Sequence, residues 1–193
     1  MRNYSIEIYV IILLAVFINC CTPPYIKMSK ENPQELINKQ DSLFNKHGDS
    51  KSLLDALLNA NVSVGELSFY KGEFAKAIIN FNNVLKISKE NANAKYYLNL
   101  IEGQKLIATG NKNKIWNAIE IFSKASMLLP DRGEAYYYVA KAYTMISDKD
   151  FDLIFESYEK AISLKLNSNI KLKIENEYEN IKLRKKELDS FWK

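Results

Sequence analysis

From Gln34 to Leu129 the chain carries no proline, and over that stretch apolar side chains return at intervals of three and four rather than two. Proline removes a backbone donor and breaks a helix interior, whereas this spacing lays one apolar stripe along a 3.6-residue turn. A strand would need strict alternation, and none of any length occurs. The pattern predicts helix after helix, an all-α chain. Six glycines and four prolines in 193 residues are also few for a β protein built on tight turns. At 47% hydrophobic and 26% charged, the composition is that of a folded domain and excludes wholesale disorder.

The order of helices follows from the same spacing. Leu36, Leu43 and Phe44 predict a first short helix, ended by His47-Gly48-Asp49, which leaves the sole His in a turn. Ser50 is an N-cap candidate for the next helix, whose face carries Leu53, Leu54, Leu57 and Leu58. Further on, Ala77, Phe81 and Val84 follow one another at four and then three residues, after the turn Gly72-Glu73-Phe74. Ala118, Phe122 and Ala125 repeat that spacing, and so do Ile154, Tyr158 and Ala161. The leading residues of these sets are spaced by 41 and 36 residues. Ahead of the last set stand Tyr136, Val139, Ala140 and Tyr143, with Asn61, Val64, Gly65 and Ser68 in the same places ahead of the first. The surplus length is expected in the connections Gly110–Trp116 and Ile146–Asp150, with Trp116 packing over its turn. Residues 167–193 carry the stripe Ile170, Ile174, Tyr178 and Ile181 among many Lys and Glu, which predicts a helix that caps a stack. The basic run Lys182–Lys186 reads as the solvated face of that helix.

The N-terminal end has a different character. An eleven-residue apolar run, Ile8–Ile18, follows Arg2 and Glu7. At about 1.5 Å per residue it covers roughly half of a bilayer core of about 30 Å, which suits a secretory signal over residues 1–19. An uncleaved signal anchor is the alternative, and both carry the remainder across a membrane. Thr22–Pro33 holds three of the four prolines and predicts a semi-extended tether.

Two family resemblances rest on these residues. Phe17-Ile18-Asn19-Cys20-Cys21 resembles a bacterial lipoprotein lipobox, which implies cleavage before a lipidated Cys. That Cys is Cys20, or alternatively Cys21, and the chains on it would anchor residues 20–33 to a membrane. The body resembles the tetratricopeptide repeat (TPR) family, whose pattern is W-x2-L-G-x2-Y followed by A-x3-F and a closing Pro, here Pro130. The resemblance implies a right-handed α-solenoid of about three helix hairpins over residues 34–166, with residues 167–193 as the C-terminal capping helix. It also implies a concave groove lined by the first helices, at Val62, Glu66 and Phe69, then Tyr96 and Leu100, then Tyr137, Lys141 and Thr144. Tyr97, Leu98 and Ile101 are left to the core, and the groove aromatics have packing between repeats as their other use. Val62, Glu66 and Tyr137 do not fit the family's carboxylate clamp.

The composition bears on function mainly by exclusion. With one His, and with Cys20 and Cys21 as the only two Cys, there is no catalytic triad and no metal set. No phosphate loop exists, so no cofactor, nucleic acid or small-molecule substrate is expected, and the net charge of +4 is mild. The expectation is a non-enzymatic protein-protein interaction scaffold of the bacterial envelope. It faces the periplasm or cell surface, meets an envelope or membrane protein through its groove, and meets the lipid bilayer through its acylated Cys. A surface lipoprotein for an external ligand and an accessory subunit of a cell-wall hydrolase are the alternatives.

Overall fold

The computed structural model describes residues 23–147 and 150–191. Residues 1–22, with the signal and both Cys, lie outside the described residues. Among the described residues the fold is all-α, with ten helices and no strand. The chain divides into two compact units, and the division falls between Val64 and Gly65, inside one helix.

The first unit holds helices α1 (Pro24–Glu31), α2 (Pro33–Asn38) and α3 (Gln40–His47), and the start of α4 (Lys51–Tyr70). Here the expected tether is corrected. Pro24 and Pro33 stand in the first turns of α1 and α2, where the missing N–H has no partner to lose. Residues 24–31 are helical because they have something to pack on. Tyr25 is buried, its hydroxyl 2.8 Å from Ser52 Oγ and its ring edge-on to His47 at 5.4 Å. The single helix expected over 34–47 is broken at Lys39, whose N–H turns back to the Glu35 and Leu36 carbonyls. His47 ends α3 and is exposed.

The second unit runs from Gly65 through α5 (Phe74–Ile87), α6 (Ala92–Ile107), α7 (Lys112–Leu128), α8 (Glu134–Ile146), α9 (Phe151–Ser163) and α10 (Ser168–Phe191). From α5 onward each helix packs on the next, and α6 also meets α8. Asn91 and Asn111 cap α6 and α7, their side chains accepting from the N–H of Ala94 at 3.0 Å and of Lys114 at 3.2 Å. The residues after Asn111 therefore lengthen α7 rather than the turn before it. Trp116 lies on that helix, 52% exposed, edge-on to Tyr143.

One contact recurs through this unit. Phe81 of α5 stacks on Tyr97 of α6 with centroids 5.1 Å apart, and Phe122 of α7 stacks on Tyr138 of α8 at 5.4 Å. Tyr158 of α9 stacks on Tyr178 of α10 at 5.6 Å. Each first ring also lies over its own hairpin's preceding helix where that helix offers little or no side chain. Cβ atoms built on Gly65 and Gly103 would fall 2.7 and 2.2 Å from Phe81 and Phe122. Ala140 belongs to the core cluster that holds Tyr158. Gly103 belongs to none of the sets read from the sequence. At the C-terminal side, α10 packs on α9. Its Ile174 and Tyr178 are buried, and Ile170 and Ile181 pack partly against the same cluster.

Candidate interaction site

Sequence reasoning places eight residues on one groove, and the structure separates them. Phe69, Tyr96, Leu100 and Tyr137 are buried in the core, so they cannot present a face to a partner. The physical reason is the width of the buried arc. On α6, Ala94, Tyr96, Tyr97, Leu100, Ile101 and Gly103 are all buried, because neighbouring helices cover more than one face. Tyr97 and Ile101 are core residues as expected, and Leu98 is half-buried. Val62 is half-buried and belongs to the first unit. Glu66, Lys141 and Thr144 are half-buried in the second. Lys141 Nζ lies 5.5 Å from the centroid of the Tyr137 ring, and Thr144 Oγ1 donates to the Lys141 carbonyl at 2.7 Å.

What the buried tyrosines do instead is hold a polar network. Glu134, at the start of α8, is fully buried and accepts from Tyr70 at 2.6 Å and from Tyr96 at 3.1 Å. Arg132 donates to both carboxylate oxygens at 3.2 Å, to the Tyr70 hydroxyl at 2.9 Å and to the Tyr97 hydroxyl. Tyr96 in turn accepts from the Ala135 N–H at 3.3 Å. A buried charge is tolerable only when paired and fully hydrogen-bonded, and this one is. Burial and the Glu134 carboxylate push the Tyr70 and Tyr96 hydroxyls well above the ordinary tyrosine range, so both remain donors. The network ties the ends of α4, α6 and α8 together. Nearby, burial raises the Glu66 carboxyl above its ordinary value despite the attraction of Arg132.

Gly133 completes this corner. Its N–H donates to the Lys165 carbonyl at 2.9 Å, and Arg132 and Lys165 form an isolated parallel bridge. A Cβ at Gly133 would fall 2.2 Å from the Ala161 carbonyl oxygen, so only glycine lets the α7–α8 and α9–α10 loops meet. At the other end of the unit, Glu177 of α10 accepts from Tyr137 at 3.2 Å and Tyr158 at 3.3 Å. Tyr178 donates to Glu159 at 2.5 Å, and burial with that bond pushes its hydroxyl up to about 12.

An open surface exists on the unit, at residues the groove expectation does not include. A cleft of ≈ 620 Å³ lies between α7, α8 and α9. Tyr136, Val139 and Tyr143 of α8 line it, with Ser123 and Ser126 from α7 and Leu153, Glu156, Ser157, Lys160 and Ser163 among those from α9. The hydroxyls of Ser123, Ser126, Ser157 and Ser163 each donate to a carbonyl one turn back, at 2.8 to 2.9 Å. The walls are therefore short and their donors already used, so an apolar guest strands none of them. The signal was present in the sequence as small polar residues on one face of both outer helices. Without the packing of α8 beneath them, those serines read as ordinary surface.

Among the described residues no group of His, Cys, Asp and Glu could hold a metal ion, and no helix is long and apolar enough to cross a membrane. No protein-family model and no curated protein matches the chain.

Proposed function

We propose that the chain is a membrane-anchored TPR-like lipoprotein, acting as a protein-protein interaction scaffold in the assembly or stabilisation of a bacterial envelope complex. In this reading the apolar run Ile8–Ile18 directs export, and Cys20, or Cys21, carries the lipid that holds the protein at a membrane facing the periplasm or cell surface. The helix hairpins wind as a right-handed α-solenoid of about three repeats, capped by α10.

The observation that carries the reading is the recurring stack Phe81–Tyr97, Phe122–Tyr138 and Tyr158–Tyr178. Hairpins joined through the same contact each time share one spine and leave helix faces at their flanks for other proteins. The α7–α9 cleft is such a face. It has the size of a binding site and combines aromatic, aliphatic and short polar walls. We place the partner there rather than at the buried groove residues.

The test is site-specific crosslinking in cells. A photoreactive residue at Ser126 or Lys160 of the full chain should capture a discrete protein partner, and one at Lys76 on α5 should not. The full chain is needed, because Tyr25 packs within the first unit. Capture that is equal at all three positions, or absent at all three, would count against the scaffold reading.

A further inference from the structure

The distal end of α10 poses a question that the capping role leaves open. The helix runs for 24 residues, against 13 for α9 on which it packs. No described residue after Tyr178 is buried, and Leu183 and Phe191 are 58% and 79% exposed. The ten-residue amphipathic end, Lys182–Phe191, keeps one face on its own α9, where Lys182, Lys185, Lys186 and Asp189 line a cavity with Phe155, and turns Leu183 and Phe191 outward. It spans roughly 15 Å, about the length of the α9 wall of the cleft from Leu153 to Ser163.

We infer that this end of one copy seats in the α7–α9 cleft of a second copy. The inference rests on the cleft being a docking surface, as proposed above, and supplies an occupant for it. The chemistry matches in both signs. The cleft carries Glu156 and Glu159 with Lys160 beside them. The α10 end carries Lys182, Arg184, Lys185 and Lys186, with Glu187 and Asp189. Lys186 is the partner for Glu156, and Glu187 the partner for Lys160.

Steric and polar fit point the same way. The serine walls let a helix backbone approach closely, and their donors are satisfied before anything binds. Leu183, Leu188 and Phe191 are the side chains that enter, toward Val139, Tyr143 and Leu153. Glu187 decides against an anionic bilayer as the surface this end meets. It stands one turn from both Leu183 and Phe191 on the same face, so a lipid surface would have to take up a carboxylate there. The cleft and the α10 end are different surfaces, so the contact is head-to-tail and propagates into a ring or an open chain rather than closing a dimer.

Disulfide mapping tests this in the full chain, with Cys20 and Cys21 replaced by serine and the protein held in detergent. Ser126→Cys and Leu188→Cys variants, carrying different tags, should form a mixed disulfide when combined, while neither crosslinks to itself. Glu156→Lys should lower the yield about tenfold, and Lys186→Glu on the other copy should restore it. Restoration excludes misfolding as the cause, and circular dichroism of each variant checks helicity. No mixed disulfide, or a yield indifferent to the charge swap, overturns the inference. So does binding of the chain to vesicles with anionic lipid, if that is lost in Lys186→Glu without any self-association. In either case capture of another protein from Ser126 in cells would leave the scaffold reading standing.

Discussion

The ring of Phe122 occupies the space that a side chain at residue 103 would need. A Cβ built on Gly103 falls 2.2 Å from its Cε1, and the same relation holds between Gly65 and Phe81 at 2.7 Å. Each ring is thereby pressed toward the next helix, where it stacks on Tyr138 or Tyr97. The glycine sets how close a hairpin's two helices come, and the ring carries that setting to the following hairpin.

Gly103→Ala should therefore destabilise, although alanine is the better helix former. The helical gain is about 1 kcal/mol, against about 1–3 kcal/mol for overpacking a buried contact that cannot relax without moving Phe122 off Tyr138. A net loss of up to about 2 kcal/mol is expected in urea unfolding. Adding Phe122→Leu should return part of it relative to Phe122→Leu alone. Simple additivity of the two changes would show that the ring is not what the glycine accommodates.

Removing the buried carboxylate should be the costlier change. Glu134→Ala leaves Arg132 charged and largely buried, with two phenol donors short of their acceptor, and a loss of about 3–5 kcal/mol is expected. Replacing the pair together, by Arg132→Met with Glu134→Leu, should cost less than Glu134→Ala alone. Tyr96→Phe removes two hydrogen bonds, the donation to Glu134 and the acceptance from the Ala135 N–H, and should cost about 1–3 kcal/mol. Equal losses for the single and double changes would mean that the ion pair is not the element being broken.

Glu66 gives the stability a pH signature. Its carboxyl is raised above the ordinary value of 4.5, chiefly by burial. The folded state therefore binds the proton more tightly than the unfolded state, so this group's contribution is fully present at low pH and is lost as pH rises through the folded pKa. Glu66→Gln, which mimics the protonated form, should raise the Tm at pH 7 and lose that advantage below pH 4.5. A destabilised Glu66→Gln at pH 7 would mean that the attraction to Arg132 outweighs burial.

The proposed lipidation is tested at the two adjacent cysteines. If Cys20 is the anchor, Cys20→Ser should abolish incorporation of labelled fatty acid and release the protein from membranes in high salt, while Cys21→Ser retains both. The reverse result moves the anchor to Cys21. Retention of label in the double serine variant would remove the lipoprotein reading altogether.

Much of the helical architecture was legible beforehand, and the reason is local. Spacings of three and four, the prolines and the turn at His47–Asp49 act within a few residues, so the helices around Ala77, Ala118 and Ile154 could be placed from them alone. The N-terminal error shows the limit. Pro23 and Pro24 do suggest an extended chain, and only the burial of Tyr25, with its bond to Ser52, makes α1 worth forming. The candidate site was legible to a smaller extent. Tyr96 and Tyr97 are both fully buried while Leu98 is half-buried, so the buried arc of α6 lies one residue away from the stripe that puts Tyr97 and Leu98 inside and Tyr96 on an open face.

What the sequence determined by itself is the run of helices from α4 onward and the repeated spacing shared by Phe81, Phe122 and Tyr158, because helix formation depends on neighbours a turn away. Which surfaces remained open was decided only in three dimensions. Arg132 met tyrosines from two other helices, and α7 and α9 stood apart over α8 to leave the cleft. Those outcomes depend on how far one packed helix holds its neighbours from each other, a distance set by the volumes of side chains remote in sequence and written in no single segment of the chain.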